Sequence, residues 1–166
     1  ACGLSRVYSR PIDTRFLHRN RVSGNCRHRL INRMIQKRPI IGLTTYERDK
    51  QQNYGLPAEY IEAVRRAGGI PVLLTAGDPA EIPSLLDRLD GIVMSGGGDV
   101  DPARYGGRPH PAVYGIDPVR DEFEIALAHA LAERRVPTAC ICRGMQVMNV
   151  AFGGSLIEDI AAEGPE

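Results

Sequence analysis

Residues 34–166 predict an α/β domain, a parallel sheet with helices on both faces. Three observations carry this. Short apolar runs alternate with longer stretches of helical spacing. The runs are continuous rather than alternating in polarity, as strands covered on both sides require. Pro137 to Gly154, PTACICRGMQVMNVAFGG, reads as a buried strand, a tight turn bearing a cysteine, and a helix stopped by two glycines.

Pro39 to Thr44 (PIIGLT) is the first strand, an apolar run bounded by turn residues. Thr45 to Gly55 is polar and makes a long strand-to-helix loop. Pro57 opens a helix, because proline is favoured at the first helical position. Tyr60, Ala63, Val64 and Ala67 keep helical spacing, and Gly68-Gly69 ends it. Ile70 to Leu74 is the second strand. Asp78-Pro79 starts a helix with Ile82, Leu85, Leu86 and Leu89 on its inner side. Gly91 to Ser95 is the third strand. Asp117-Pro118 caps a longer helix with apolar positions at Val119, Phe123, Ala126, Leu127, Ala130 and Leu131. Asp121 and Glu122 fall in its first turn, where they suit the helix dipole, and Arg120 and Glu124 form an i,i+4 pair. Thr138 to Cys142 is the fourth strand, with Cys140 and Cys142 on one face. Met145, Met148, Val150 and Phe152 then fit a helix buried on most of its surface.

In such sheets the chemistry lies at the carboxyl ends of the strands. Three loops reach that end: Thr45–Gly55, Gly96–Gly115 and the turn at Cys142. That turn has the logic of a nucleophile elbow, with sulfur in place of oxygen. The helix dipole and the first free N–H groups of the following helix favour a thiolate there. Gly144 lets the backbone turn without a Cβ clash. Ser95 to Asp101 (SGGGDVD) supplies glycine amides that could bind an anion. Neither a P-loop nor a GxGxxG pattern is present, so a nucleotide cradle is not supported. Beside a cysteine nucleophile the glycines gain another use, as donors to a tetrahedral oxyanion. Asp99, Asp101 and Tyr105 shape the substrate mouth. Two carboxylates alone make no metal site, and Cys26-x-His28 lacks a partner pair. No motif supports His110 or His129 as a base.

Charge divides the chain. Residues 1–38 hold ten Lys/Arg and one acid, a balance of +9, and the remainder carries −8. The acidic main part offers no footprint for nucleic acid. No apolar run approaches membrane-spanning length. The four cysteines form no CxxC pair, which favours reduced thiols in a cytoplasm. Residues 1–33 lack periodicity. A transit peptide, a basic arm for nucleic acid, and a disordered extension outside the functional protein compete for them, and the last is favoured because Met34 precedes the first strand so closely.

Several stretches carry a resemblance. ICRGMQVMNVAFGGSLIEDI, with Cys142, Arg143, Gly144, Gln146, Asn149, Gly153, Gly154 and Leu156, resembles the nucleophile segment of the class I glutamine amidotransferase-like superfamily. Within it the γ-glutamyl-γ-aminobutyrate hydrolase (peptidase C26) family matches best. SGGGDVDPARYGG resembles that family's oxyanion loop, and DPVRDEFE also fits. Cys140 stands where the elbow usually has glycine. The resemblance covers residues 34–166 and implies a flavodoxin-like fold. It implies hydrolysis of a small-molecule γ-glutamyl amide through a Cys142 thioester, with no metal or organic cofactor. The Gly97 and Arg143 amides are the implied oxyanion donors, with Gly98 and Gln146 in the oxyanion or substrate-binding set. It further implies a cytoplasmic enzyme, with polyamine catabolism as one setting. The family's base is a His oriented by Glu or Asp from strands downstream of the elbow, and no His follows Cys142 in this chain. The sequence therefore reads as the N-terminal part of the domain, truncated after the nucleophile helix and expected to hydrolyse poorly by itself. A glutaminase subunit of an amidotransferase and a non-catalytic remnant are the alternatives. A homo-oligomer and a monomer are both left open.

Overall fold

The computed structural model describes residues 38–160. The expectations for residues 1–33 lie outside the described residues. Strands β1 (Ile40–Thr44), β2 (Ile70–Leu74), β3 (Gly91–Met94) and β4 (Thr138–Cys140) alternate with helices α1 (Ala58–Arg66), α2 (Ile82–Leu86), α3 (Pro118–Arg134) and α4 (Arg143–Ala151). A 3₁₀ turn, Pro79–Glu81, leads into α2, and another, Pro102–Arg104, follows β3. The four strands form one sheet in the order β2-β1-β3-β4, every pair parallel. The α/β class and the parallel sheet are as predicted.

The strand order fixes where the helices lie. The chain steps outward from β1 to β2, then crosses back past β1 to β3. With right-handed crossovers these opposite steps put α1 on one face and α2 on the other. The main core lies on the α2 side. Leu74, Ile82, Leu86, Ile92, Met94, Phe123, Leu127, Leu131, Val147 and Val150 pack there as one cluster. Burying each such side chain removes apolar surface worth about 1.5–3 kcal/mol. Gly42 lies on the same side of β1. A Cβ there would meet Ile92 and Leu74 side-chain carbons at 2.6 Å, so glycine leaves the room those side chains fill.

Several expectations are corrected. Coverage on both faces does not extend to β2, an edge strand, where Ile70, Val72 and Leu73 are exposed. Helix α4 is buried on one face only. Arg143, Gly144, Val147 and Val150 point inward, whereas Met145 and Phe152 are 59 % and 58 % exposed. Counting apolar residues misplaced that face because a charged residue, Arg143, lies on it. Val119 is likewise exposed at the start of α3. The fourth strand stops at Cys140, so Cys140 and Cys142 do not share a strand face.

The role of Gly144 also differs. It lies inside α4, and the positive φ belongs to Cys142. A Cβ on Gly144 would collide with the Met94 carbonyl of β3, so the missing side chain permits close helix-to-strand packing. Gly144→Ala should lower stability by about 1–3 kcal/mol, the usual cost of overpacking, with unchanged secondary structure. Urea unfolding followed by circular dichroism measures it, and an unchanged midpoint would refute this account.

Candidate active site

The carboxyl ends of β1, β3 and β4 converge on a cavity of about 340 Å³ lined by Tyr46, Glu47, Tyr60, Gly96, Gly97, Gly98, Tyr114 and Cys142. These residues come from the three loops expected, plus Tyr60 of α1. Tyr46, Glu47, Tyr60 and Tyr114 were not singled out from the sequence, because nothing in their local pattern separates them from ordinary loop and helix residues.

Cys142 is exposed at the N-cap of α4, with φ 49° and ψ −109°. This is a costly conformation for a residue with a Cβ, of order 1–3 kcal/mol. It is held from both sides. Ile141 N–H donates to the Met94 carbonyl at 2.9 Å, which continues the sheet pairing one residue past β4. Gly144 N–H donates back to Ile141 O at 2.9 Å, and Met145 N–H to Cys142 O at 2.9 Å. The sulfur is thereby lifted out of the strand.

The glycine loop after β3 has a specific division of amides. Gly96 N–H donates to the Tyr60 hydroxyl at 3.2 Å, and Gly98 N–H to Glu47 Oε2 at 3.2 Å. Gly97 N–H has no acceptor among the described residues, and neither has Arg143 N–H. Gly97 sits at φ +128°, and a Cβ there would strike the Arg120 guanidinium, so both backbone and space demand glycine. Gly98 packs against the Gly115 backbone, and its amide is already engaged. A Cβ on Gly96 would lie 3.7 Å from Cys142 Cβ, which places this loop against the elbow.

Beneath the cavity lies a buried ionic network that the sequence reading reached only in part. The expected Arg120–Glu124 pair forms, Nε to Oε1 at 2.9 Å, and Asp117 caps α3 by accepting from the Val119 and Arg120 amides. The pair is not a surface one, since each side chain is 1 % exposed. Arg120 also donates to Gly96 O at 2.7 Å, to Ser95 Oγ at 3.2 Å and to Glu47 Oε2 at 3.0 Å. The Arg143 side chain turns inward and pairs with Asp121 and Glu124. Asp121 Oδ2 accepts from Asp101 N–H at 3.0 Å. A usable signal was present: Arg120, Glu124, Leu127, Ala128 and Leu131 share one helical stripe, whose upper part is charged.

Gln146 does not line the Cys142 cavity. It borders a second one of about 270 Å³, together with Asp99 and Tyr105, and its buried Oε1 has no partner among the described residues. Asp101 lines neither cavity. Asp99 and Tyr114 join the two ends of the long loop, Asp99 N–H to Tyr114 O at 2.8 Å and Tyr114 N–H to Asp99 Oδ2 at 3.1 Å. Asn149 donates to Ser155 O at 2.7 Å and so braces the turn after α4. His110 and His129 are exposed and line neither cavity. His129 meets Phe152 edge to face. Among the described residues no group of three His, Cys, Asp or Glu side chains could hold a metal ion, and no helix is long and apolar enough to cross a membrane.

Burial raises the Tyr46 phenol above its ordinary pKa, and a hydrogen bond with Tyr60 adds to this. Burial also pushes up the Cys140 thiol, helped by the negative charge of Glu124.

The sequence profile of Peptidase C26 matches residues 39–165. A Mycobacterium tuberculosis protein provisionally named as a glutamine amidotransferase is 44 % identical over 128 residues, covering 72 % of this chain and 41 % of the relative. The γ-glutamyl-γ-aminobutyrate hydrolase of Escherichia coli K12 is 36 % identical over 128 residues, covering 74 % of this chain and 49 % of the relative. The chain thus spans under half the length of these relatives.

Two outcomes are expected from this geometry. Alkylation needs the thiolate, so iodoacetamide at neutral pH should modify Cys142 well before Cys140. Mass mapping of the native protein checks it, and faster labelling of Cys140 would contradict the geometry. Arg143→Ala should cost about 3–5 kcal/mol, because it leaves buried Asp121 without a counterion and Glu124 with Arg120 alone. Denaturant unfolding reads this, and a loss below about 1 kcal/mol would mean the network is not the constraint described.

Proposed function

Because the chain belongs to the Peptidase C26 family of class I glutamine amidotransferase-like proteins, we propose that Cys142 is the nucleophile of a thiol hydrolase acting on γ-glutamyl amides. The observation that carries this reading is an exposed cysteine at a positive-φ turn beside two backbone amides, Gly97 N–H and Arg143 N–H, that lack acceptors among the described residues.

The Cys142 sulfur attacks the γ-carbonyl carbon, and the carbonyl oxygen takes up the negative charge. The Gly97 and Arg143 amides donate to it. Such donors stabilise the tetrahedral intermediate in proportion to how firmly they are preset. The C–N bond then breaks, and the amine leaves with a proton. Water attacks the thioester, releasing glutamate and restoring the thiol. Removal of the thiol proton and protonation of the amine need a base. In the family pattern this is a histidine on a later strand, held by a carboxylate. Gln146, within α4, borders the neighbouring cavity rather than that of Cys142, and its buried Oε1 is given no role in the reaction. Gly98 shapes the cavity, and its amide serves Glu47. The name of the Escherichia coli relative suggests γ-glutamyl-γ-aminobutyrate as the first substrate to try. A cytoplasmic setting with reduced thiols belongs to the same proposal.

A second reading, a glutaminase subunit delivering ammonia to a synthase, draws on the provisional name of the Mycobacterium tuberculosis relative. Its mark would be ammonia release from glutamine that rises when a synthase partner co-purifies.

Glutamate release from γ-glutamyl-γ-aminobutyrate by the full-length protein tests the hydrolase. Cys142→Ala should lower the rate by at least about 10³-fold without loss of folding, and acid quenching should trap a glutamyl adduct on Cys142 in the parent protein. Undiminished turnover in the alanine variant would rule out the thioester route.

A further inference from the structure

We infer that Glu47 is the carboxylate that recognises the α-ammonium of the γ-glutamyl group. This rests on the reading of Cys142 as a γ-glutamyl hydrolase nucleophile. The Cys142 cavity is walled by phenols and glycines, and its one charged lining side chain is Glu47. Glu47 is held in a fixed pose. Its Oε2 accepts from Arg120 Nη1 at 3.0 Å and from Gly98 N–H at 3.2 Å. Its Oε1 has no hydrogen-bond partner among the described residues. The side chain is 30 % exposed, against 1 % for the Arg120 to which it is tied.

Charge points the same way. The connected network holds three carboxylates, Glu47, Asp121 and Glu124, and two guanidiniums, Arg120 and Arg143. One negative charge is in surplus. Four of the five side chains are no more than 2 % exposed, so Glu47 is where that surplus meets the cavity. A preset carboxylate with a free oxygen is a site for a cation.

The γ-glutamyl group has such a cation at a fitting distance. Its ammonium nitrogen lies four bonds from the carbonyl carbon that Cys142 attacks, roughly 5 Å when extended. The glycine loop touches both protein groups. Gly96 abuts Cys142, and a Cβ on the next residue, Gly97, would sit 3.0 Å from Glu47 Oε2. Glu47, Gly97 and Cys142 line one cavity, so a substrate whose carbonyl oxygen lies at Gly97 N–H can reach Glu47 with its amine. The same carboxylate fixes the Gly98 amide, so substrate recognition and the oxyanion loop share one support.

The test is protection of Cys142 from iodoacetamide in the full-length protein, read by mass spectrometry. L-Glutamine is compared with glutaramate, which lacks the amine, and with N-acetyl-L-glutamine, whose nitrogen is uncharged. L-Glutamine should protect at a concentration about 10- to 100-fold lower than either. In Glu47→Gln, which keeps an acceptor for Arg120 and Gly98, the three concentrations should converge while the thermal melt stays near that of the parent. Equal protection by all three ligands in the parent, protection by none, or an undiminished preference in a folded Glu47→Gln would each overturn the assignment. If that variant does not fold, the three-ligand comparison in the parent still decides. Amine-dependent protection without hydrolysis of any γ-glutamyl amide would sink the hydrolase reading and keep the site. Hydrolysis that is indifferent to the amine would do the reverse.

Discussion

Arg120 and Arg143, buried among Glu47, Asp121 and Glu124, hold the sheet-end loops in place. Arg120 reaches the loop after β1 through Glu47 and the loop after β3 through Ser95 and Gly96. Arg143 ties the elbow after β4 to the same helix through Asp121 and Glu124. Burying ions is costly, and a buried pair adds little net stability over apolar packing. Its leverage is positional. If one partner shifts, a charge is left without solvent or counterion, so the loops have few alternative arrangements.

That constraint explains how a strained cysteine persists. Residue 143 serves two directions at once. Its side chain locks inward, while its amide points away from the helix with no acceptor. The glycine loop is organised in the same manner. The amides of Gly96 and Gly98 are taken by Tyr60 and Glu47, and the one between them is left open. Within the GGG run Gly97 needs a φ that only glycine adopts readily, whereas Gly98 is glycine because the Gly115 backbone packs against it.

The strands and helices were legible because their residues state their own preferences. Apolar runs such as PIIGLT and IPVLL, prolines at helix starts and glycines at helix ends act within a few residues of themselves. The elbow cysteine and the glycine loop were legible for the same reason. The inward role of Arg143 was not. Reading apolar spacing alone made α4 a helix buried by Met145 and Phe152, and the packing against β3 and α3 chose Gly144, Val147 and Val150 with a guanidinium instead. Glu47, Tyr46 and Tyr60 were invisible because they meet Cys142 only after β1 and β3 are paired.

By itself, then, the sequence determined the α/β class, the order of elements, the turn carrying Cys142 and the loop of three glycines, all through local conformational preference and hydrophobic burial. Only the tertiary structure decided which amides remain free, which cavity Gln146 borders, and that one charged side chain, Glu47, lines the cavity of the cysteine. Those are decided by side chains far apart in the chain, and their contacts depend on strand order and on how two buried guanidiniums find their counterions.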